Sequence, residues 1–179
     1  MFLIVYFKDQ RRFYSSDNKC NENEFSHIDT ETNRIKMVDV SDKKVTQRNA
    51  HARAKIKVSR IVFDKIQSNQ IAKGDVLTTA KLAAISAAKM TSHLIPLCHP
   101  IPLEHIEVKF QFDPSQNEIG IDVLCRTLSK TGIEMEALVA ASIAALTIYD
   151  MCKALDKAMI IKECKLIEKT GGKTDFFRY

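Results

Sequence analysis

The chain has 179 residues, of which 45% are hydrophobic and 27% are charged. This balance is typical of a globular protein with one core, and it excludes a wholly disordered chain. Lysine and arginine number 27 against 22 acidic residues, so the formal net charge is +5. A mildly basic chain suits an anionic small molecule as well as a nucleic acid, so charge alone does not choose between them.

The N-terminal residues differ in character from the rest of the chain. Residues 8–34 are polar and show no sustained hydrophobic period. We therefore expect residues 1–34 to be a loose extension, followed by a single domain at residues 35–179. The opening run MFLIVYF lacks the charged start and the cleavage site of a signal peptide. With five cysteines, no C-x-x-C pair and no apolar run near the ~18 residues of a membrane span, we expect a cytoplasmic protein with reduced thiols and no membrane partner.

The first elements of the domain are predicted to be a strand and a helix. Lys55–Val62 mostly alternates between polar and apolar residues, which predicts a strand. A loop around residues 68–75 ends in Asp75, a residue suited to cap a helix. The alanine-rich stretch after it predicts a helix that ends at about Thr91.

A hairpin, a long helix and a last strand follow. Glu104–Asp113 and Ile119–Leu128 alternate cleanly and are joined by a Pro-Ser-Gln-Asn turn, which predicts a β-hairpin. A helix is expected from about Glu134 to Leu155, and a strand at Met159–Ile167. The end, Thr170–Tyr179, resembles a loop.

The order of these elements, β-α-β-β-α-β, predicts a ferredoxin-like α+β fold. Its antiparallel sheet carries both helices on one face and leaves the other face bare. We expect that bare face to carry Ile61 and Val62, or the alternate residues of the hairpin. The long helix is apolar on every side between Ala137 and Tyr149. Since one sheet cannot cover all sides of such a helix, the chain is expected to be a homo-oligomer.

The most unusual local segment is the connector Pro96–Pro102. It holds three of the four prolines of the chain, so its backbone is stiff and extended, and it carries Cys98 and His99. It is either a rigid connector with a core histidine or part of a site. Neighbouring side chains of an extended segment point apart, and no second Cys/His pair has zinc spacing, so we expect no metal site.

The long helix carries charged residues at both ends. Glu134 and Glu136 suit the positive end of the helix dipole. Asp150 and Lys153 are three residues apart on one face, and they form either a structural ion pair or an acid/base couple. Glu136 and Asp150 lie roughly 21 Å apart at 1.5 Å per residue. If both are functional, they serve different sites or meet across a subunit boundary.

Three glycine-containing loops have neighbouring lysines: Lys73-Gly74, Lys130-Thr131-Gly132 and Gly171-Gly172-Lys173. Such loops allow backbone N–H groups and an ammonium to approach a phosphate. None has the spacing of a phosphate-binding P-loop, so each one alone is more typical of a plain turn with solvated lysines.

Taken in order, these segments closely resemble cyclic pyranopterin monophosphate synthase, the C accessory protein family of molybdenum cofactor biosynthesis. The resemblance runs from about Phe25 to Phe177. The segments that carry it are Met37-Val38-Asp39-Val40, Lys73-Gly74-Asp75-Val76, Leu94-Ile95-Pro96-Leu97-Cys98-His99-Pro100, Lys130-Thr131-Gly132, Glu134-Met135-Glu136-Ala137-Leu138, Ala145-Leu146-Thr147-Ile148-Tyr149-Asp150-Met151-Cys152-Lys153 and Gly171-Gly172-Lys173.

The resemblance implies an activity and an assembly. The substrate would be (8S)-3′,8-cyclo-7,8-dihydroguanosine 5′-triphosphate, made from GTP by a radical SAM cyclase. The enzyme, a lyase, would convert it to cyclic pyranopterin monophosphate with release of diphosphate. The fold would be ferredoxin-like and the assembly a homohexamer, a trimer of dimers with active sites at subunit interfaces. No cofactor would be required, although Mg²⁺ can accompany the triphosphate.

The resemblance also implies site residues. Asp150 matches the catalytic aspartate of the family, Lys73 and Lys153 match its essential lysines, and His99 is a further group for proton transfer. The substrate-binding segments are matched by Leu97, Cys98, His99, Met135 and Glu136, and we add Glu134 from the same turn. Lys169 and Lys173 are candidate phosphate contacts, or else plain surface lysines.

Three other functions were weighed. An RNA-recognition module shares the strand order, but the chain lacks the aromatic motif that such modules use. A zinc-dependent GTP cyclohydrolase is suggested by Cys98-His99, and one zinc per subunit would favour it. A non-catalytic regulatory module would bind a GTP-derived nucleotide without consuming it. We expect a small-molecule substrate and no nucleic-acid partner.

Overall fold

The computed structural model describes residues 28–29 and 34–178. Strand β1 (Ile28–Asp29) pairs antiparallel with β2 (Arg34–Ile35) in a two-stranded sheet. The described residues from Met37 onward form one compact unit. Most of the predicted extension lies outside the described residues, so the boundary at residue 34 stays a prediction.

The compact unit is a five-stranded antiparallel sheet with helices on one face. The order across the sheet is β4-β5-β3-β6-β7, so the first long strand is central and the hairpin strands lie to one side of it. The predicted α+β class and the one-sided placement of the helices are confirmed. The elements are β3 (Thr46–Lys57), α1 (Arg60–Gln67), α2 (Val76–Lys89), α3 (Thr91–Leu94), β4 (His105–Asp113), β5 (Glu118–Ser129), α4 (Glu134–Cys152), β6 (Ile160–Thr170) and β7 (Phe176–Phe177).

Small side chains form the contact between α4 and the central strand. Ala50, Ala52 and Ala54 of β3 are buried on the helix side of the sheet. Helix α4 also buries alanines, and it packs on β3, β5, β6 and α2. Without long side chains between them, backbone atoms approach closely and many dispersion contacts form. The buried alanines of α4 are Ala137, Ala140, Ala141, Ala144 and Ala145.

The predicted strand at Lys55–Val62 is wrong beyond Lys57. The side chain of Ser59 accepts a hydrogen bond from the Val62 N–H and begins helix α1 there. A serine with extended backbone before a short amphipathic run is a favourable helix cap, and this outweighs the alternation. Ile61 and Val62 therefore lie on α1 and not on the bare face of the sheet: Val62 is fully buried, whereas Ile61 is 66% exposed.

The other elements match the predictions with shifted ends. The capped helix is α2, and the hairpin is β4 and β5. The long helix α4 ends at Cys152 and not at Leu155, because residues 153–155 form a turn. The last strand, β6, extends to Thr170. The predicted terminal loop contains the short strand β7, which pairs with β6.

The face of the sheet opposite the helices is polar. Asn49, His51, Arg53 and Lys55 alternate with the buried alanines of β3 and point away from α4. Asp122 of β5 is 3% exposed there and accepts hydrogen bonds from His51 Nε2 at 2.6 Å and from Arg53 Nε at 2.8 Å. Paired charges of this kind suit a sheet face that is not covered by the helices.

Two aromatic residues on the hairpin belong to the core. Phe112 of β4 meets Phe63 of α1 edge to face, with ring centroids 5.3 Å apart, and Phe110 packs against the same core. Rings held by a helix in this way cannot stack on unpaired bases, as an RNA-recognition sheet requires.

Helix α4 is unusually long and apolar. By length and composition alone it could cross a membrane, but half of that stretch is buried inside the protein. The core helix of a globular protein has the same composition, and the contacts of α4 with α2 and three strands are those of a core helix. Leu146 is 51% exposed on its outer side.

Candidate active site

The loop before α2 places Lys73 at the C-terminal end of α4. Ile71 is buried and anchors this loop. Gly74 then adopts φ +102°, a conformation that side chains rarely tolerate, and its N–H bonds to the Ile71 carbonyl at 2.9 Å. Asp75 caps α2 through the Thr78 N–H at 2.9 Å. Since α2 packs along α4, the loop brings Lys73 to Asp150.

Asp150 lies between two ammonium groups. Lys153 Nζ is 2.6 Å from Asp150 Oδ1, and Lys73 Nζ is 3.1 Å from Oδ2 and 2.8 Å from the main-chain oxygen. The hydrogen bonds from Lys153 and then Lys73 hold the pKa of Asp150 below its usual range, while Asp150 raises the pKa of Lys153. The three side chains are exposed and together carry one net positive charge, so they can receive an anionic group.

The opposite end of α4 carries a second cluster. Glu134 accepts a hydrogen bond from Lys169 Nζ of β6 at 3.2 Å. Its Oε2 atom is buried and has no hydrogen-bond partner among the described residues. Gly132 makes room for this carboxylate, because a Cβ at that position would lie 2.0 Å from Oε2. Lys169 thus forms an ion pair with Glu134 within this chain, and its role as a phosphate contact stays a prediction.

Glu136 lies deeper in the same turn, where it is 3% exposed. Burial, and then the charge of Glu134, raise the pKa of Glu136 to about 7. Cys98 of the connector is half-buried, and burial, Glu136 and Glu134 raise the pKa of its thiol. Leu97 and Met135 are also half-buried at these two segments.

His99 is held by a segment to which the sequence analysis assigned no role. Its Nε2 lies 2.8 Å from the Val38 carbonyl. Lys130 Nζ donates to the Ser41 carbonyl at 2.6 Å, and hydrogen bonds from Ser41 lower the pKa of Asp39. The motif Met-Val-Asp-Val was part of the resemblance, but only the fold reveals that its backbone positions the histidine.

Lys173 follows the end of strand β6. It is exposed on the turn after β6 and forms no ion pair within residues 34–178. Gly171 in this turn has φ +85°, and a Cβ there would lie 1.8 Å from the Gln47 carbonyl oxygen. Glycine is therefore required for the turn to pack on β3.

The structure thus brings the predicted residues into two groups. Lys73, Asp150 and Lys153 meet at the C-terminal end of α4. The glutamates and Lys169 meet at its N-terminal end, close to Cys98. Asp150 and Glu136 are fourteen positions apart on one helix, roughly 21 Å at 1.5 Å per residue. One chain does not unite the two groups into a single site.

Within the described residues, no three His, Cys, Asp or Glu side chains are placed to hold a metal ion. The described part of the chain therefore gives no support to the zinc-dependent alternative. Asp150 already forms ion pairs with two lysines, and Glu134 forms one with Lys169.

A comparison with protein families tests the resemblance found in the sequence. The model of the MoaC family matches residues 37–172, about three quarters of the chain. The chain belongs to the MoaC family. The predicted resemblance is confirmed, and MoaC proteins are enzymes of molybdenum cofactor biosynthesis. The matched stretch includes every residue of the two α4 groups, as well as Cys98 and His99, and it ends one residue before Lys173.

Membership of the MoaC family agrees with the rest of the structure. The family is consistent with a small-molecule substrate and not with a nucleic acid, in agreement with the core position of Phe110 and Phe112.

Proposed function

We propose that this MoaC protein is cyclic pyranopterin monophosphate synthase. It converts (8S)-3′,8-cyclo-7,8-dihydroguanosine 5′-triphosphate, the product of a radical SAM GTP cyclase, to cyclic pyranopterin monophosphate and diphosphate, as a lyase. The observation that carries the proposal is the Lys73–Asp150–Lys153 group, which offers two ammonium groups and a net positive charge at an exposed position.

These lysines suit the binding of the triphosphate and the release of diphosphate. A triphosphate needs cationic hydrogen-bond donors, and a leaving diphosphate needs its growing charge stabilised. Asp150 binds both ammonium groups and fixes the distance between them. Lys73 and Lys153 then stabilise charge and transfer protons. Mg²⁺ can accompany the triphosphate as part of the substrate, and no resident cofactor is needed.

The other end of α4 suits the ring half of the substrate. A guanine-derived ring presents N–H donors and a carbonyl acceptor on its edges. Carboxyl oxygens of Glu134 and Glu136 are acceptors for such donors, beside Met135 and the Leu97-Cys98 segment. His99, held through Val38, is a further group for proton transfer. Lys173 remains a candidate phosphate contact.

The two groups can contribute to one active site if copies of the chain assemble. We propose the homohexamer of the family, a trimer of dimers, with each site formed by the lysine end of one subunit and the glutamate end of another. Support comes from the separation of the two ends on α4 and from the exposed Leu146 on its outer side. The cytoplasm, where such precursors are made, is the proposed location.

A coupled assay tests the function. The purified protein is given the cyclised GTP intermediate, and diphosphate release is followed together with the oxidised, fluorescent pterin. We expect both products from the wild type and neither from Asp150→Asn or Lys153→Ala. Lys157→Ala is the matched control, because Lys157 is exposed just beyond α4 and forms no ion pair within residues 34–178. Binding without turnover by the folded wild type would instead identify a regulatory nucleotide-binding module.

A further inference from the structure

Glu136 is an acid placed where an ionised carboxylate is hard to keep. It belongs to the first turn of α4, whose N-terminal end normally favours negative charge. It is nevertheless 3% exposed and makes no ion pair with any of residues 34–178. A buried carboxylate without a cationic partner loses its hydration, and the neutral acid is then the favoured form.

The surroundings of Glu136 come from three elements. Its titratable neighbours are Glu134 on the same helix, Cys98 on the connector and Cys125 on β5. Burial and the charge of Glu136 raise the pKa of both thiols. The cation of β6, Lys169, binds Glu134 at 3.2 Å. The two carboxyl groups therefore differ: Glu134 pairs with a cation, whereas the charge of Glu134 helps to raise the pKa of Glu136.

Two carboxyl groups in one turn, one paired with a cation and the other buried without such a partner among residues 34–178, are a familiar arrangement for acid catalysis. Near pH 7 a substantial fraction of Glu136 carries its proton, since the pKa of Glu136 is raised to about 7. General acids are most effective when their pKa lies close to the working pH.

We propose that Glu136 is a general acid of the reaction proposed above, on which this inference rests. When a C–N bond of the cyclised ring opens, its electron pair stays on the departing nitrogen, and the lone pair of the second nitrogen on the same carbon forms a C=N bond. The O–H bond of Glu136 breaks, an N–H bond forms, and Glu136 is left as a carboxylate. The carboxylate takes a proton back from solvent when the product leaves, so no other reactant is needed.

The other candidates for this proton are less suited to it. Lys153 is held in its charged form by Asp150 at 2.6 Å, so giving up its proton would break that ion pair. One ring nitrogen of His99 is engaged with the Val38 carbonyl at 2.8 Å. The lysines therefore act on the phosphates, in charge stabilisation and proton transfer there, while the proton for the ring comes from the other end of α4.

The test compares three variants in the coupled assay between pH 5.5 and 8.5, about 1.5 pH units either side of a pKa near 7. Glu136→Gln keeps the shape and a hydrogen-bonding group but has no proton to give. We expect its kcat to fall by roughly 10²–10⁴-fold with little change in KM. In the wild type kcat should fall as pH rises through about 7, and this dependence should be absent in Glu136→Gln. Glu136→Asp should restore part of the rate together with the pH dependence.

Glu134→Gln is the matched control, since it changes the neighbouring carboxyl and leaves Glu136 in place. Removing the charge of Glu134 should lower the pKa of Glu136 and shift the fall in kcat to lower pH. Circular dichroism melts verify that each variant is folded. A ¹³C NMR titration of the glutamate carboxyls, without substrate, should show one carboxyl that titrates near pH 7 and is missing in Glu136→Gln.

The outcomes separate this role from the proposed function. A folded wild type that does not turn over contradicts the synthase function itself. If the wild type turns over and Glu136→Gln matches its kcat, the acid role is wrong and the function stands. A loss confined to KM, or an unchanged pH dependence in Glu136→Gln, also overturns the acid role, since Glu136 would then only bind the ring.

Discussion

The two ends of helix α4 carry acids in opposite states. At the C-terminal end, Asp150 is exposed and lies between Lys153 and Lys73, so its pKa is lowered. At the N-terminal end, Glu136 is buried and has no cationic partner among the described residues, so its pKa is raised to about 7. The helix dipole would favour the reverse, since it stabilises negative charge at the N-terminal end.

The comparison teaches that local contacts outweigh the helix dipole. Two hydrogen-bonded lysines overcome the unfavourable C-terminal position of Asp150. The loss of hydration at Glu136 exceeds the stabilisation of about 0.3–1 kcal/mol that a helix N-terminus typically provides. The same helix can therefore supply fixed charge at one end and a movable proton at the other.

The largest expected effect is on turnover at the lysine end. Lys73→Ala removes one of the two ammonium groups around Asp150, and we expect kcat/KM to fall by about 10³-fold or more, because charge on the leaving diphosphate is no longer stabilised. The coupled assay measures this loss. Wild-type turnover in Lys73→Ala would show that the cluster is a surface ion pair without a catalytic role.

The sequence predicted only part of this lysine group. The pair Asp150–Lys153 follows from helical spacing, since residues three apart share a face. Lys73 is 77 positions from Asp150 and reaches it because α2 packs along α4. Lys73 was predicted as a site residue from the resemblance to a family and not from spacing. The pair of Glu134 and Lys169 was missed for the same reason, since it joins a helix to a strand 35 positions later.

The fold was predictable where hydrophobic alternation or a helix cap is strong. Asp75, the hairpin and the start of α4 were all found. The central strand β3 was found only at its end, because its buried residues, Ala50, Ala52 and Ala54, are weakly hydrophobic and hide the alternation. Their value lies in the close approach of α4, which is a tertiary property and leaves little trace in the sequence.

The next largest effect is expected on the free energy of unfolding and its pH dependence, through Glu136 at the glutamate end. Because the pKa of Glu136 is raised from 4.5 to about 7 in the folded protein, the unfolded state binds fewer protons between these values. Stability is therefore lost as pH rises from about 4.5 to 7 and stays lower above it. Glu136→Gln should be more stable than the wild type at pH 8, by on the order of 3 kcal/mol.

Urea denaturation at pH 4 and pH 8 measures this difference, which should disappear at pH 4, where Glu136 is protonated in both states. Glu134→Gln serves as the comparison, because Glu134 pairs with Lys169 and the loss of this ion pair should not stabilise the protein. A gain in Glu136→Gln that is equal at both pH values would mean that packing, and not ionisation, is responsible.

A smaller effect is expected at Gly132. Alanine there would place a Cβ 2.0 Å from Glu134 Oε2, so the flexible carboxylate must move away and its bond to Lys169 must lengthen. Alanine also reduces the freedom of the unfolded chain, which offsets the cost, so the free energy of unfolding should change by less than about 1 kcal/mol. Turnover should fall by about tenfold, since a displacement of this size disturbs substrate positioning. An unchanged rate would indicate that the position of Glu134 is not critical.

The smallest expected effect is on stability at the lysine end. Lys153 and Lys109 are both exposed lysines in ion pairs, with Asp150 at 2.6 Å and Glu107 at 3.0 Å. Exposed pairs are screened by water and restrict flexible side chains, so they contribute little to folding. Neither Lys153→Ala nor Lys109→Ala should measurably change the thermal midpoint, yet only Lys153→Ala should lose turnover in the coupled assay. A clear fall in the midpoint of Lys153→Ala alone would mean that its ion pair with Asp150 holds α4 in place, and the expectation that the lysine end affects turnover but not stability would then be wrong.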